Sequence, residues 1–82
     1  MVYPQDVKAF IQNALPCDHV EVAGDGHHFE ALIVSPEFRG KSMVQQHQLV
    51  YRALGDRMRE EIHALSMKTY TPEQWRNRQG AG

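Results

Sequence analysis

Apolar residues recur along the chain with two different spacings, and the changes of spacing mark its elements. Val7, Phe10, Ile11 and Ala14 fall at i, i+3, i+4 and i+7, one stripe of an amphipathic helix. Pro4 suits its first turn, and Pro16 closes it near Leu15. From His19 to Ala23 polar and apolar residues alternate around two valines, the pattern of a half-buried strand. Gly24-Asp25-Gly26 tolerates positive φ, so the chain reverses there. A second strand runs from about His28 through Phe29 and Leu32 to Val34, and its denser apolar run makes it the more central of the hairpin.

Ser35-Pro36 ends that strand, because proline removes a ladder donor. A helix from Ser42 to Leu54 then places Val44, His47, Tyr51 and Leu54 on one stripe, with Gly55 to stop it. Asp56 caps a short third helix that presents Met58 and Ile62. A third strand spans His63 to Tyr70, with Leu65 and Met67 on its buried face. Thr71-Pro72-Glu73-Gln74 starts a last helix anchored by Trp75, and residues 79–82 read as a flexible tail. The order α-β-β-α-α-β-α predicts one α+β domain over 1–82, with its core in about 4–78. It has a three-stranded mixed sheet and helices on one face. A helical crossover makes the second and third strands parallel and right-handed in connection. Both then begin at one edge of the sheet, which brings His28, His63 and the glycine-rich turn together.

The 82 residues are 41% hydrophobic and 23% charged, an ordinary mix for one folded domain. The longest aliphatic run, Ala31 to Val34, is far too short to span a membrane, and residues 1–6 lack a secretory-signal pattern. Cys17 is the one cysteine, which excludes an internal disulfide and a cysteine-cluster zinc site and fits a reducing, cytoplasmic setting. Charge is uneven: residues 1–37 carry one lysine against six carboxylates, whereas residues 38–59 carry five basic residues against Asp56. The basic third raises a nucleic-acid reading through Lys41, Arg52, Arg57 and Arg59, although the overall charge of −1 argues against sequence-blind binding.

Five histidines turn attention to metal chemistry, because neutral imidazole ligates iron and zinc. Two imidazoles, His28 and His63, fall short of a closed zinc site but suffice where another molecule supplies the other ligands. His27 and His28 are adjacent and point apart on a strand, so they do not both face one ion. His47 reads as a partly buried core residue, His19 as a solvated strand start, and Cys17 as an inert loop thiol. Gly40-Lys41-Ser42 lacks the earlier glycine of a phosphate loop, since Ser35 stands there. No nucleophile–base set or carboxylate pair can be assembled, so the chain is expected not to be an enzyme.

Several segments together resemble the BolA family, in its IbaG-like branch. They are Gly24-Asp25-Gly26 before His28-Phe29, Phe38-Arg39-Gly40-Lys41, His47-Gln48-Leu49-Val50, Ile62-His63-Ala64-Leu65 and Lys68-Thr69-Tyr70-Thr71-Pro72-Glu73-Gln74-Trp75. The likeness runs in order over about residues 7–78. It implies a class II KH-like fold and a heterodimer with a monothiol glutaredoxin, sharing a 2Fe–2S cluster held also by glutathione. The resemblance assigns His63 as one ligand and His28 as the second, with His27 as a neighbour able to substitute. It also implies a role in iron–sulfur cluster assembly or trafficking, or in the iron and acid-stress response. Histidine ligation raises a 2Fe–2S potential relative to all-cysteine ligation. A second role implied by the family is transcriptional regulation by DNA binding, with a homodimer as a further assembly. Here Leu54-Gly55-Asp56-Arg57 departs from the Gly-x-x-Gly clamp of a working KH module.

Overall fold

The computed structural model describes residues 1–60, 62 and 64–80. Its elements are α1 (Pro4–Ala14), β1 (His19–Gly24), β2 (His28–Val34), a 3-10 turn (Pro36–Phe38), α2 (Met43–Leu54), α3 (Arg57–Glu60), β3 (Ala64–Tyr70) and α4 (Pro72–Gly80). The strands form one mixed sheet in the order β1-β2-β3, with β1 antiparallel to β2 and β3 parallel to it. This is the expected α+β order. None of the described helices is long and apolar enough to cross a membrane.

Local chemistry sets the helix starts. Asp6 accepts the Tyr3 N–H at 2.9 Å ahead of α1. Ser42 and Gln45 exchange side-chain-to-backbone bonds of 2.9 and 3.2 Å at the start of α2. Thr71 and Gln74 do the same at 2.9 and 3.1 Å for α4. The Ser42/Gln45 and Thr71/Gln74 pairs each satisfy two amides at the start of a helix, and Asp6 satisfies one.

Val7 and Ile11 of α1, Val20 of β1, and Phe29, Ala31 and Ile33 of β2 meet Val50, Leu54, Ile62 and Leu65 in the core. Because side chains alternate along a strand, this assigns one sheet face to α1 and α2. α4 lies differently from the expected common side. Its Trp75 ring stacks on His19 (centroids 5.3 Å apart) and lies 5.7 Å from Tyr70, both strand neighbours of core-facing residues and so on the opposite face. Arg39 binds Glu73 through two bonds of 2.9 and 2.6 Å and ties the end of the 3-10 turn to α4.

Three further expectations are corrected. The stripe Val44–His47–Tyr51–Leu54 is not the buried face of α2: Val44 is 65% and Tyr51 40% exposed, and Gln46, Val50 and Leu54 are buried. The helix is turned by roughly a quarter-turn relative to the apolar count, given ~100° per residue. The cause is Gln46. Its amide donates to the Phe38 carbonyl at 3.3 Å and the Lys41 carbonyl at 2.9 Å, and its oxygen accepts from the Thr69 hydroxyl at 2.6 Å. A buried amide so satisfied costs little. In α1, Ala14 is exposed and Leu15 takes its place in the core. Between β2 and α2, residues 36–38 form the 3-10 turn that buries Phe38 completely. The last helix continues to Gly80 rather than ending near 78.

Candidate functional site

The turn between β1 and β2 is built by Asp25. One carboxylate oxygen accepts the backbone N–H of both His27 and His28 at 2.9 Å, and the Asp25 N–H donates to the His28 carbonyl at 3.2 Å. The two amides hold the Asp25 carboxyl below its ordinary pKa. Gly26 takes φ +100°, which the missing side chain allows. Gly24 is glycine for a different reason. A Cβ there would lie 2.5 Å from the His28 carbonyl oxygen and 2.6 Å from the Phe29 ring. The turn is thereby pressed against the first residues of β2.

That packing fixes where His28 sits. Phe29 is buried in the core, so alternation puts His28 on the face away from α1 and α2, exposed and first in its strand. His28 pairs in register with Ala64, and the Ala64 N–H donates to the His27 carbonyl at 3.2 Å. The start of β3 therefore adjoins the histidine-bearing turn, as the parallel crossover requires. His63 immediately precedes Ala64 in sequence and lies outside the described residues. His27 is exposed in the turn. Among the described residues no three His, Cys, Asp or Glu side chains converge as a metal cage.

The remaining candidates separate. His47 is half-buried on α2, in keeping with a core-flanking role. His19, expected in solvent, is instead half-buried, stacked on Trp75 and hydrogen-bonded to Glu21; the sequence signal was a lone tryptophan with no strand assigned to it. The Cys17 thiol donates to the Leu15 carbonyl at 3.3 Å, and burial, with Asp18 nearby, pushes it up to about 11. It stays a thiol at neutral pH, and hence a poor nucleophile.

The basic candidates have different partners. Lys41 precedes α2 and donates to the Glu37 carbonyl at 3.0 Å. Arg52 lies roughly 16 Å further along, at 1.5 Å per residue. Arg57 lays its guanidinium 3.9 Å over the Phe10 ring, and Arg59 reaches Asp56 at 3.6 Å. Gly55, at φ +57°, closes α2 by donating its N–H to the Tyr51 carbonyl. It serves as a helix stop, with an acid after it where a phosphate clamp needs an open backbone.

The family model for BolA-like proteins matches residues 7–74. The chain belongs to the BolA-like family. It is 39% identical over 71 residues to the acid stress protein IbaG of Escherichia coli K12, covering 85% of this chain and 84% of that one. It is 38% identical over 58 residues to the DNA-binding transcriptional regulator BolA of Haemophilus influenzae, covering 71% of this chain and 56% of that protein. Its fold superposes on a BolA homologue from Coxiella burnetii with a TM-score of 0.82 at 46% identity, over 93% of this chain and 99% of the other. These relatives bear the names of a stress protein and a regulator rather than of enzymes.

Proposed function

We propose that this BolA-like chain is a non-enzymatic adaptor that pairs with a monothiol glutaredoxin and co-ligates a 2Fe–2S cluster, with His63 and His28 as its two ligands. One observation carries the reading: His28 stands exposed at the start of β2, in register with Ala64, the residue after His63. The donor chemistry fits a shared centre. Imidazole is an accepted ligand of a 2Fe–2S iron, and two imidazoles leave the rest of the coordination to another molecule. The partner's cysteine and glutathione are the complementary thiolates. The fixed turn holds His28 through backbone bonds to Asp25, so its placement does not await the metal. His27 shares that turn but precedes the strand, which makes it the substitute rather than the first choice.

The cluster's role would be assembly, delivery or sensing of iron in the cytoplasm, and the likeness to an acid stress protein extends this to a stress response. Reconstitution with a monothiol glutaredoxin, glutathione, iron and sulfide, followed by visible circular dichroism, tests the reading. His63→Ala and His28→Ala each change the spectrum, whereas His27→Ala leaves it alone. A spectrum indifferent to His63→Ala and His28→Ala overturns the assignment.

A second reading, a small DNA-binding stress regulator, rests on the likeness to the Haemophilus regulator and on Lys41, Arg52, Arg57 and Arg59. It predicts a salt-dependent mobility shift of duplex DNA that Arg57→Ala and Arg59→Ala weaken together. No shift at low salt dismisses it.

A further inference from the structure

β3 is the last strand of the sheet, and its outer side has a defined set of free backbone groups. The Ala64 N–H donates to His27, and the Tyr70 carbonyl accepts from Ser35, so both residues turn their backbone toward β2. In a parallel ladder the residues engaging one neighbour alternate with those facing away. Leu65, Met67 and Thr69 therefore face the open edge. The Tyr51 hydroxyl confirms the direction, since it donates to the Leu65 carbonyl from α2 at 3.3 Å. Among the described residues no strand covers this edge.

The edge runs beside an apolar wall. Val44 and Tyr51, turned outward by the burial of Gln46, lie along one side of α2 with the half-buried His47 between them. α2 runs opposite to β3, because Gln46 bonds Thr69 while Tyr51 bonds Leu65. From Val44 to Tyr51 is roughly 10 Å of helix, and from Leu65 to Thr69 roughly 13 Å of strand. Wall and edge thus match the length of four or five extended residues. α2 and β3 carry Arg52 and Lys68 and not a single Asp or Glu, so the edge strand itself is basic, while Glu30 and Glu21 lie one and two strands further in on the face of Lys68. Lys68 is exposed on the face away from α2, and among the described residues no carboxylate pairs with it. β3 has no proline or bulge, and Lys68 is its one charged residue.

We propose that the β3 edge is a docking site for an extended partner peptide that alternates acidic and apolar residues and adds as a fourth strand. The strand pairs with the Leu65 N–H and with both backbone groups of Met67 and Thr69, the Leu65 carbonyl being held by Tyr51. Its apolar side chains fall on the α2 side against Val44 and Tyr51, and its carboxylates fall on the other side beside Lys68. Strand addition of this kind draws affinity from the backbone and specificity from alternate side chains. Nothing in it depends on the cluster site at His28, so the two can fail separately.

The test uses the whole chain and a fluorescein-labelled peptide of alternating glutamate and valine, six residues long. Anisotropy shows saturable binding, and amide spectra show the N–H groups of Leu65, Met67 and Thr69 moving more than those of Ser66 and Lys68. Lys68→Glu weakens binding at least tenfold, and Lys68→Arg restores it. N-methylating one alternate set of peptide amides abolishes binding, whereas the other set is tolerated. No saturable binding, or binding indifferent to both methylation patterns, overturns the proposal. So does an oligothymidylate that displaces the peptide from the same amides, or self-association of the chain through this edge in sedimentation.

Discussion

Replacing Gly24 by alanine places a methyl group 2.5 Å from the His28 carbonyl oxygen and 2.6 Å from the Phe29 ring, with the Phe29 Cα at 3.1 Å. None of these atoms belongs to a mobile side-chain tip: two are backbone and one is a ring buried in the core. Gly24 does not have positive φ, so alanine meets no dihedral penalty there, and on its own would stabilise by roughly 0.4–1 kcal/mol through the unfolded chain. The overlap opposes this. Forcing a methyl into a packed site costs about 1–3 kcal/mol. The net loss is then roughly 0.5–2 kcal/mol, or a fall in Tm of about 3–15 °C for a domain of this size. Thermal and urea unfolding of Gly24→Ala measure it, and amide shifts at His28 and Phe29 locate it. Gly40→Ala is the control, because a Cβ there meets nothing within 4 Å and any cost comes only from φ +74°. A Gly24→Ala chain as stable as the parent would refute the claim that the hairpin is pressed onto the first residues of β2.

Phe38 is fully buried at the end of the 3-10 turn, and Phe38→Ala should cost about 3–5 kcal/mol, read as a collapse of the urea midpoint. The Arg39 guanidinium holds Glu73 at about 2, well below the usual carboxylate range. A lowered carboxylate stabilises the fold above its unfolded pKa and loses that contribution as the pH falls toward the folded one. The stability gap between the parent and Glu73→Gln should therefore be full near neutrality, narrow below about pH 4.5, and vanish near the folded value; a gap independent of pH would contradict it. The single tryptophan, Trp75, reports its stack on His19. Its emission maximum should shift in His19→Ala, which removes the stacked ring, and stay close to the parent's in His19→Phe.

Much of this was legible because local rules and packing agreed. The Thr71/Gln74 helix start, the Gly24–Gly26 turn and the alternation of β1 all stand where the pattern puts them. The parallel crossover, inferred from order alone, brings Ala64 beside His28. Reading failed where a polar residue was buried or an apolar one was not. Gln46 enters the interior because three partners meet its amide, and this displaces Val44 and Tyr51 to the surface. No count of apolar positions weighs hydrogen bonds made across 23 residues, as between Gln46 and Thr69. His19 was missed for a similar reason, since its partner Trp75 is brought to it by a helix at the other end of the chain.

The central claim is that this chain lends two imidazoles to a cluster shared with a glutaredoxin. Its most direct measurement is pulsed electron paramagnetic resonance of the reduced complex, with ¹⁵N-histidine incorporated into this chain alone. Two directly coordinated ¹⁵N couplings are expected, one lost in His28→Ala and the other in His63→Ala. A reduced cluster with no ¹⁵N coupling from this chain would contradict the account.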